Sequence, residues 1–517
     1  MGTSPGCHNL QSKNPEGHRL LLIASVLVSR GYQLRREAER QKGSIVASDT
    51  QDTQNAQTTI DDVHHDPYVL TKEKIQEPPT GLKQSLKFLG PGMITSAAVV
   101  GSGELITATT LGSRVGMMLL WLIFVSTFVK VFIQVELARW SISTGKPAIF
   151  GYDEVKPTIA GHGWPSYIVL IMFFQFVTGQ AGVIGAAGVA MSMLLPIAGG
   201  PTDPISIALW VWIMALLAIA IHMANRYEII EKVSTTLVVV VTLLVIAMVF
   251  AIQFTEFAWS GSELADGLRF RIAAGSMGIA LSMFGMTGVG AGEVSGYSFW
   301  VVEKGYAAWA GPNDGSEGWV RRARGWIRVM KLDAWVSWVI YTLSTAAFYM
   351  LGATVLYKQG LEVKGTDLVG TISRIFTDTL GGWVGPLFLL FAGIALYKTI
   401  LANVPTFARQ TGASLAVFNV YDWKDHKKRN KVMRILMVVF PILWASAVTI
   451  FQSPLFLVLL GGTLNAVYLM IVAVSTLYLA KTDTDPRIKD GTGFKVLLIV
   501  SAIAIFAVGV LGIVDMF

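Results

Sequence analysis

Two apolar stretches of this chain carry almost the same word, Val100-Gly101-Ser102-Gly103-Glu104 and Val289-Gly290-Ala291-Gly292-Glu293. Paired glycines unwind a helix, and the acid that follows each pair offers hard oxygen. A carboxylate with unwound carbonyls suits Mg²⁺, Ca²⁺ or Mn²⁺ rather than zinc or copper. The same residues have a purely structural use, because a glutamate in a first helical turn satisfies free amides and complements the helix dipole. Lys130 and Lys398 also fall deep inside apolar segments. Lys130 lies roughly 13 Å along a helix from Arg139 at about 1.5 Å per residue, too far to reach the interface comfortably. An ionisable group at such depth costs about 2.5–3.5 kcal/mol unless it faces protein or a polar cavity. Both lysines read as buried ion-pair partners of Glu104 or Glu293, holding helices in register, and Lys398 reads alternatively as a resident cation. The balance decides the cargo. Two carboxylates alone attract a cation, whereas two carboxylates matched by two ammoniums leave glycine amides exposed to an anion.

These groups sit in a chain built for a bilayer. Apolar residues make up 53% of the 517 and charged residues 15%, with a mean hydropathy of +0.55. A soluble domain would carry about a quarter charged residues. The formal charge of +7 comes from Lys and Arg gathered in loops, the pattern of an inner-facing membrane surface rather than of a nucleic-acid binder. With Cys7 alone, neither an intrachain disulfide nor a thiolate metal cage can form. The histidines show no metal-ligand spacing, and His222 reads as interfacial. No hydrolytic triad or phosphate loop suggests an enzyme or ATP drive, and no cofactor is expected. The partners implied are lipid and a small ion or solute.

With about 20 apolar residues per crossing as the ruler, eleven spans emerge: 88–111, 117–138, 166–197, 205–224, 233–254, 273–302, 334–357, 384–408, 433–451, 455–479 and 495–515. Basic residues alternate between the loops. Lys83 and Lys87 precede span 1, Arg321, Arg322 and Arg324 precede span 7, and Lys427, Lys428 and Arg429 follow span 8. The connections 198–204 and 452–454 carry none. By the positive-inside rule the N-terminus is cytoplasmic and the C-terminus outside, in a cytoplasmic (inner) membrane. Residues 1–80 are polar and read as a disordered tail; within it Leu20–Val28 has the look of a signal-peptide core without a cleavage site. Trp309, Trp319 and Trp326, interleaved with arginines, read as an amphipathic segment on the inner face.

The transmembrane domain, 81–517, then divides into a first repeat (85–255), a second (270–480) and an extra helix (495–515). Five spans per repeat force inverted topology, and each glycine-glutamate word falls in the first span of its repeat. That is an all-α membrane protein of the LeuT-type five-plus-five design with helices 1 and 6 broken, whose substrate site lies between the breaks.

From Leu89-Gly90-Pro91-Gly92 through Trp121, and on through Gln134, Thr144-Gly145-Lys146, Thr178, Ala181, Val183-Ile184-Gly185 and Asn225-Arg226-Tyr227-Glu228, the chain resembles the Nramp family of proton-coupled divalent metal transporters over roughly 85–480. The resemblance implies a secondary transporter, a symporter, moving a divalent metal cation. The family's Asp-Pro-Gly-Asn falls on Gly101-Ser102-Gly103-Glu104, its Met-Pro-His on Val289-Gly290-Ala291, and its span 3 aspartate and glutamate on Gly179 and Gly182. The usual ligands and the usual proton route are thus replaced. The metal-site candidates are Glu104, Glu293 and the carbonyls near Ala98, Gly101 and Met286. Lys130, Lys398, Ser102 and Gly290 are candidates for substrate or coupling. A small organic solute or anion on the same fold, and a non-transporting membrane sensor, stand as alternatives.

Overall fold

Apolar runs bounded by glycine, proline and charge produce a nearly all-helical chain. The structure, a computed structural model, describes residues 66–517 apart from 102–103, 225–226, 273–274, 364–367 and 515–517. Span 1 is α1 (Pro91–Val99), then an interruption, then a π-helical turn Glu104–Ala108 leading into α2 (Thr109–Val115). Span 2 is α3 (Leu120–Thr144), and α4 (Val169–Leu194), α5 (Pro204–Met223) and α6 (Tyr227–Ala251) complete the first repeat. Span 6 is split into α7 (Met277–Met286) and α8 (Ala291–Lys304). Then follow α9 (Glu317–Leu351), α10 (Val384–Val417), α11 (His426–Phe451), α12 (Pro454–Thr482) and α13 (Thr492–Val514). Among the described residues, ten helical stretches are long and apolar enough to cross a membrane, the first of which, Glu104–Thr144, joins the second half of span 1 to span 2. Both anticipated breaks are present.

Three features depart from expectation. Residues 67–80 do not trail away as part of a tail. The Gln76 amide donates to Trp309 O at 3.0 Å and Trp326 Nε1 donates to Gln76 O at 3.0 Å, while Glu77 pairs with Arg321 at 2.7 Å. The remainder of that expected tail, with Leu20–Val28, lies outside the described residues. Secondly, Trp319 and Trp326 are buried rather than laid on the membrane surface. Trp309 and Trp326 close on Phe88 just ahead of span 1, because a strap of preceding chain covers them. Thirdly, the arginine-rich segment is one continuous 35-residue helix with span 7.

That continuity places Asp333 at the entrance of span 1. Its Oδ1 accepts from Gly90 N at 2.9 Å and its Oδ2 from Gly92 N at 2.5 Å. Tyr297 of α8 donates to Oδ2 at 3.0 Å. The first turn of a helix leaves four amides without internal partners, and Asp333, 1% exposed, serves two of them from another helix. One carboxylate therefore ties spans 1, 6 and 7. Replacing Asp333 with Ala should cost about 1–3 kcal/mol through unmet buried donors, and Asp333→Asn, which keeps an acceptor, should cost less. Thermal unfolding of the detergent-solubilised protein checks that order.

Candidate functional site

The interruptions are made by left-handed glycines. After α1 the chain turns at Gly101 (φ +98°), and after α7 it turns at Gly288 (φ +60°), conformations that side-chain-bearing residues rarely adopt. Each turn frees main-chain groups where water is scarce, and such groups need partners.

Glu104 supplies them for the amides. Its Oε2 accepts from Gly101 N at 3.2 Å, and its Oε1 accepts from Gly288 N at 3.4 Å and from the Thr345 hydroxyl of α9 at 3.2 Å. Its side chain is wholly buried. A single carboxylate thus joins the break in span 1 to the break in span 6, so the two interruptions meet as expected. All three bonds lie at or beyond the long end of the normal range.

Glu293 stands in the first turn of α8, half-buried, beside Gly290 and Asn465: a Cβ on Gly290 would lie 2.7 Å from Glu293 Oε2 and 2.0 Å from Asn465 Nδ2. Asn465, on α12, was not anticipated. Its Oδ1 accepts from Ala291 N at 2.9 Å and its Nδ2 donates to Gly285 O at 2.9 Å. It therefore staples the end of α7 to the start of α8 across the break. One amide in a long apolar span carries no local signal of this, since its partners lie far back in the chain.

The lysines are not paired as the ion-pair reading expects. Lys398 Nζ donates to Ala97 O at 2.8 Å and Val100 O at 2.5 Å. Lys130 Nζ donates to Phe284 O and, at 2.6 Å, to Thr287 O. Among the described residues neither ammonium meets a carboxylate at ion-pair distance. The reason is local: the last carbonyls of α1 and α7 have lost their helical donors and are nearer than the acids. Of the remaining candidates, Ala98 and Met286 are buried beside these breaks, Gly101 and Gly290 form them, and Ser102 lies outside the described residues. No three His, Cys, Asp or Glu side chains gather into a metal-binding group among the described residues. A cation here would rely on two carboxylates and main-chain oxygen.

Gly182 on α4 has a steric explanation. A Cβ on Gly182 would fall 2.4 Å from Val458 Cγ2 and 2.5 Å from Val458 N, and one on Gly461 would fall 2.4 Å from Gly179 Cα. Spans 3 and 10 touch backbone to backbone. Close packing of this kind leaves no room for a carboxylate at Gly182, whereas a Cβ on Gly179 would meet its nearest atom, Gln175 Nε2, at 3.4 Å, an ordinary contact.

The model of the Nramp family, described as natural resistance-associated macrophage protein-like, matches residues 92–515. The chain belongs to the Nramp family. A divalent metal cation transporter MntH of Bacillus subtilis is 35% identical over 109 residues, 21% of this chain and 24% of that protein. The MntH of Granulibacter bethesdensis is 27% identical over 205 residues, 38% of this chain and 43% of the relative. That of Mycobacterium tuberculosis is 25% identical over 335 residues, 62% of this chain and 70% of the relative. The chain thus spans less than half the length of the first two relatives. The manganese transporter of Eremococcus coleocola, solved as a point mutant, superimposes with a TM-score of 0.64 at 17% identity over 86% of this chain and 90% of that one, which fixes the shared fold.

Asn465→Ala should leave Gly285 O and Ala291 N unmet in an apolar interior and lower the unfolding midpoint by the equivalent of about 1–3 kcal/mol. Asn465→Asp sets a carboxylate oxygen against Gly285 O and beside Glu293, an unpaired buried charge, so its midpoint should fall at least as far as that of the alanine variant in the same thermal melt.

Proposed function

We propose that this protein is a secondary active transporter that moves a divalent metal cation across the membrane by alternating access, with Glu104 and Glu293 as the anionic ligands and carbonyls near Ala98, Gly101 and Met286 completing an all-oxygen site. The observation that carries this reading is Glu104. It is a fully buried carboxylate at the meeting point of two unwound segments, accepting long hydrogen bonds from the amides of both. Membership of the Nramp family and the names of the MntH relatives support a metal as cargo. Hard ligands favour Mn²⁺ or Mg²⁺ over softer ions. The alternation of basic loops supports a cytoplasmic N-terminus and an external C-terminus in an inner membrane.

The coupling step is unlike the family's, since the positions of its span 3 acids form a glycine seam here. A small organic solute or anion is the second reading, favoured by one observation: two buried ammoniums match the two carboxylates in number. Transport, rather than catalysis or passive sensing, is common to both.

Proteoliposome uptake separates them. Mn²⁺ or Mg²⁺ flux should be measurable with the wild type and should fall at least about tenfold, the equivalent of about 1.4 kcal/mol, in the Glu104→Gln, Glu293→Gln double variant. Undiminished metal flux in that variant removes these residues as ligands. Gradient-driven uptake of a carboxylate or amino acid, with none of metal, selects the second reading.

A further inference from the structure

Lys130 and Lys398 come from different helices and approach different breaks, yet they bind in the same register. α1 ends at its C-cap Val100, and Lys398 takes the carbonyls of Val100 and of Ala97, one turn back. α7 ends at its C-cap Thr287, and Lys130 takes the carbonyls of Thr287 and of Phe284, again one turn back. In both cases the next residue is the left-handed glycine, Gly101 or Gly288. Lys130 is 0% and Lys398 2% exposed. Lys130 also lies over the Phe284 ring, 4.7 Å from its centroid.

A helix C-terminus ends in unmet carbonyls and carries a partial negative charge. Unwound carbonyls and half-helix C-terminal ends are where transporters of this design coordinate a mobile cation. Here both ends already hold one, covalently attached. We propose that Lys130 and Lys398 are tethered cations that occupy, in the two broken helices alike, the carbonyl positions a mobile monovalent ion would otherwise fill, so that both interruptions keep their shape without bound Na⁺ or K⁺. Each ammonium brings three donors, and two of them are spent on the paired carbonyls, so a free cation at the same carbonyls would meet the ammonium's like charge at contact distance. The two lysines also match Glu104 and Glu293 in number. None of this depends on what the cargo is.

The test therefore reads the fold and needs no cargo. Purified full-length protein is melted in NaCl, KCl and choline chloride, with and without n-propylammonium chloride, whose three carbons and nitrogen replace what a lysine-to-alanine change removes. The wild type should melt at one temperature in all these salts. Lys398→Ala and Lys130→Ala should melt lower in choline and recover part of the loss with n-propylammonium or Na⁺. A wild type stabilised by Na⁺ over choline overturns the proposal, as do alanine variants whose loss neither n-propylammonium nor Na⁺ narrows. If the alanine variants yield no folded protein, Lys398→Arg, which keeps a cation, should be recovered folded where Lys398→Met is not. Equal recovery of those two also overturns it.

Discussion

The structure depends on one constraint: a polypeptide unwound inside an apolar bundle must find partners for every amide and carbonyl it frees. Each break in this protein meets it with side chains borrowed from elsewhere. Glu104 accepts from the freed amides of both interruptions, Lys398 and Lys130 donate to the freed carbonyls, and Asn465 does one of each. Asp333 answers the same need at the mouth of span 1. The polar centre of the molecule is, before anything else, the set of groups that makes broken helices tolerable.

In the proposed site, supply of that kind and cation binding would use the same atoms. The features that let Glu104 brace two helices, burial and convergent donors, are those that single it out as the centre of that site. Glu293 is the more accessible of the two acids. The pair thus divides into one acid committed to both breaks and one that is freer.

Much of this was legible in the chain because glycine pairs and acids are conspicuous against aliphatic background. The position of both breaks, the five-plus-five count and the depth of Lys130 and Lys398 all follow from composition and spacing. The partners did not. Lysines near acids read as salt bridges, but unwound carbonyls, which no residue type announces, lie closer. Asp333 falls one position ahead of the apolar run of span 7, so it reads as a loop acid although it caps a helix from the far end of the chain. Asn465 is a lone amide among aliphatics. The tryptophans of the arginine-rich segment have the composition of a membrane anchor, and only the strap formed by residues 67–80 reveals them as core. Local pattern encodes where a helix stops; who attends to its ends is a property of the assembled bundle.

The seam between spans 3 and 10 has an experimental edge. With a Cβ on Gly461 barred by Gly179 and one on Gly182 barred by Val458, the helices touch backbone to backbone where the resemblance places acids. A side chain at 182 would demand that two helices separate first, whereas 179 has ordinary van der Waals room for one. A carboxylate grafted at 182 would break the scaffold, and the resulting inactivity would say nothing about protons.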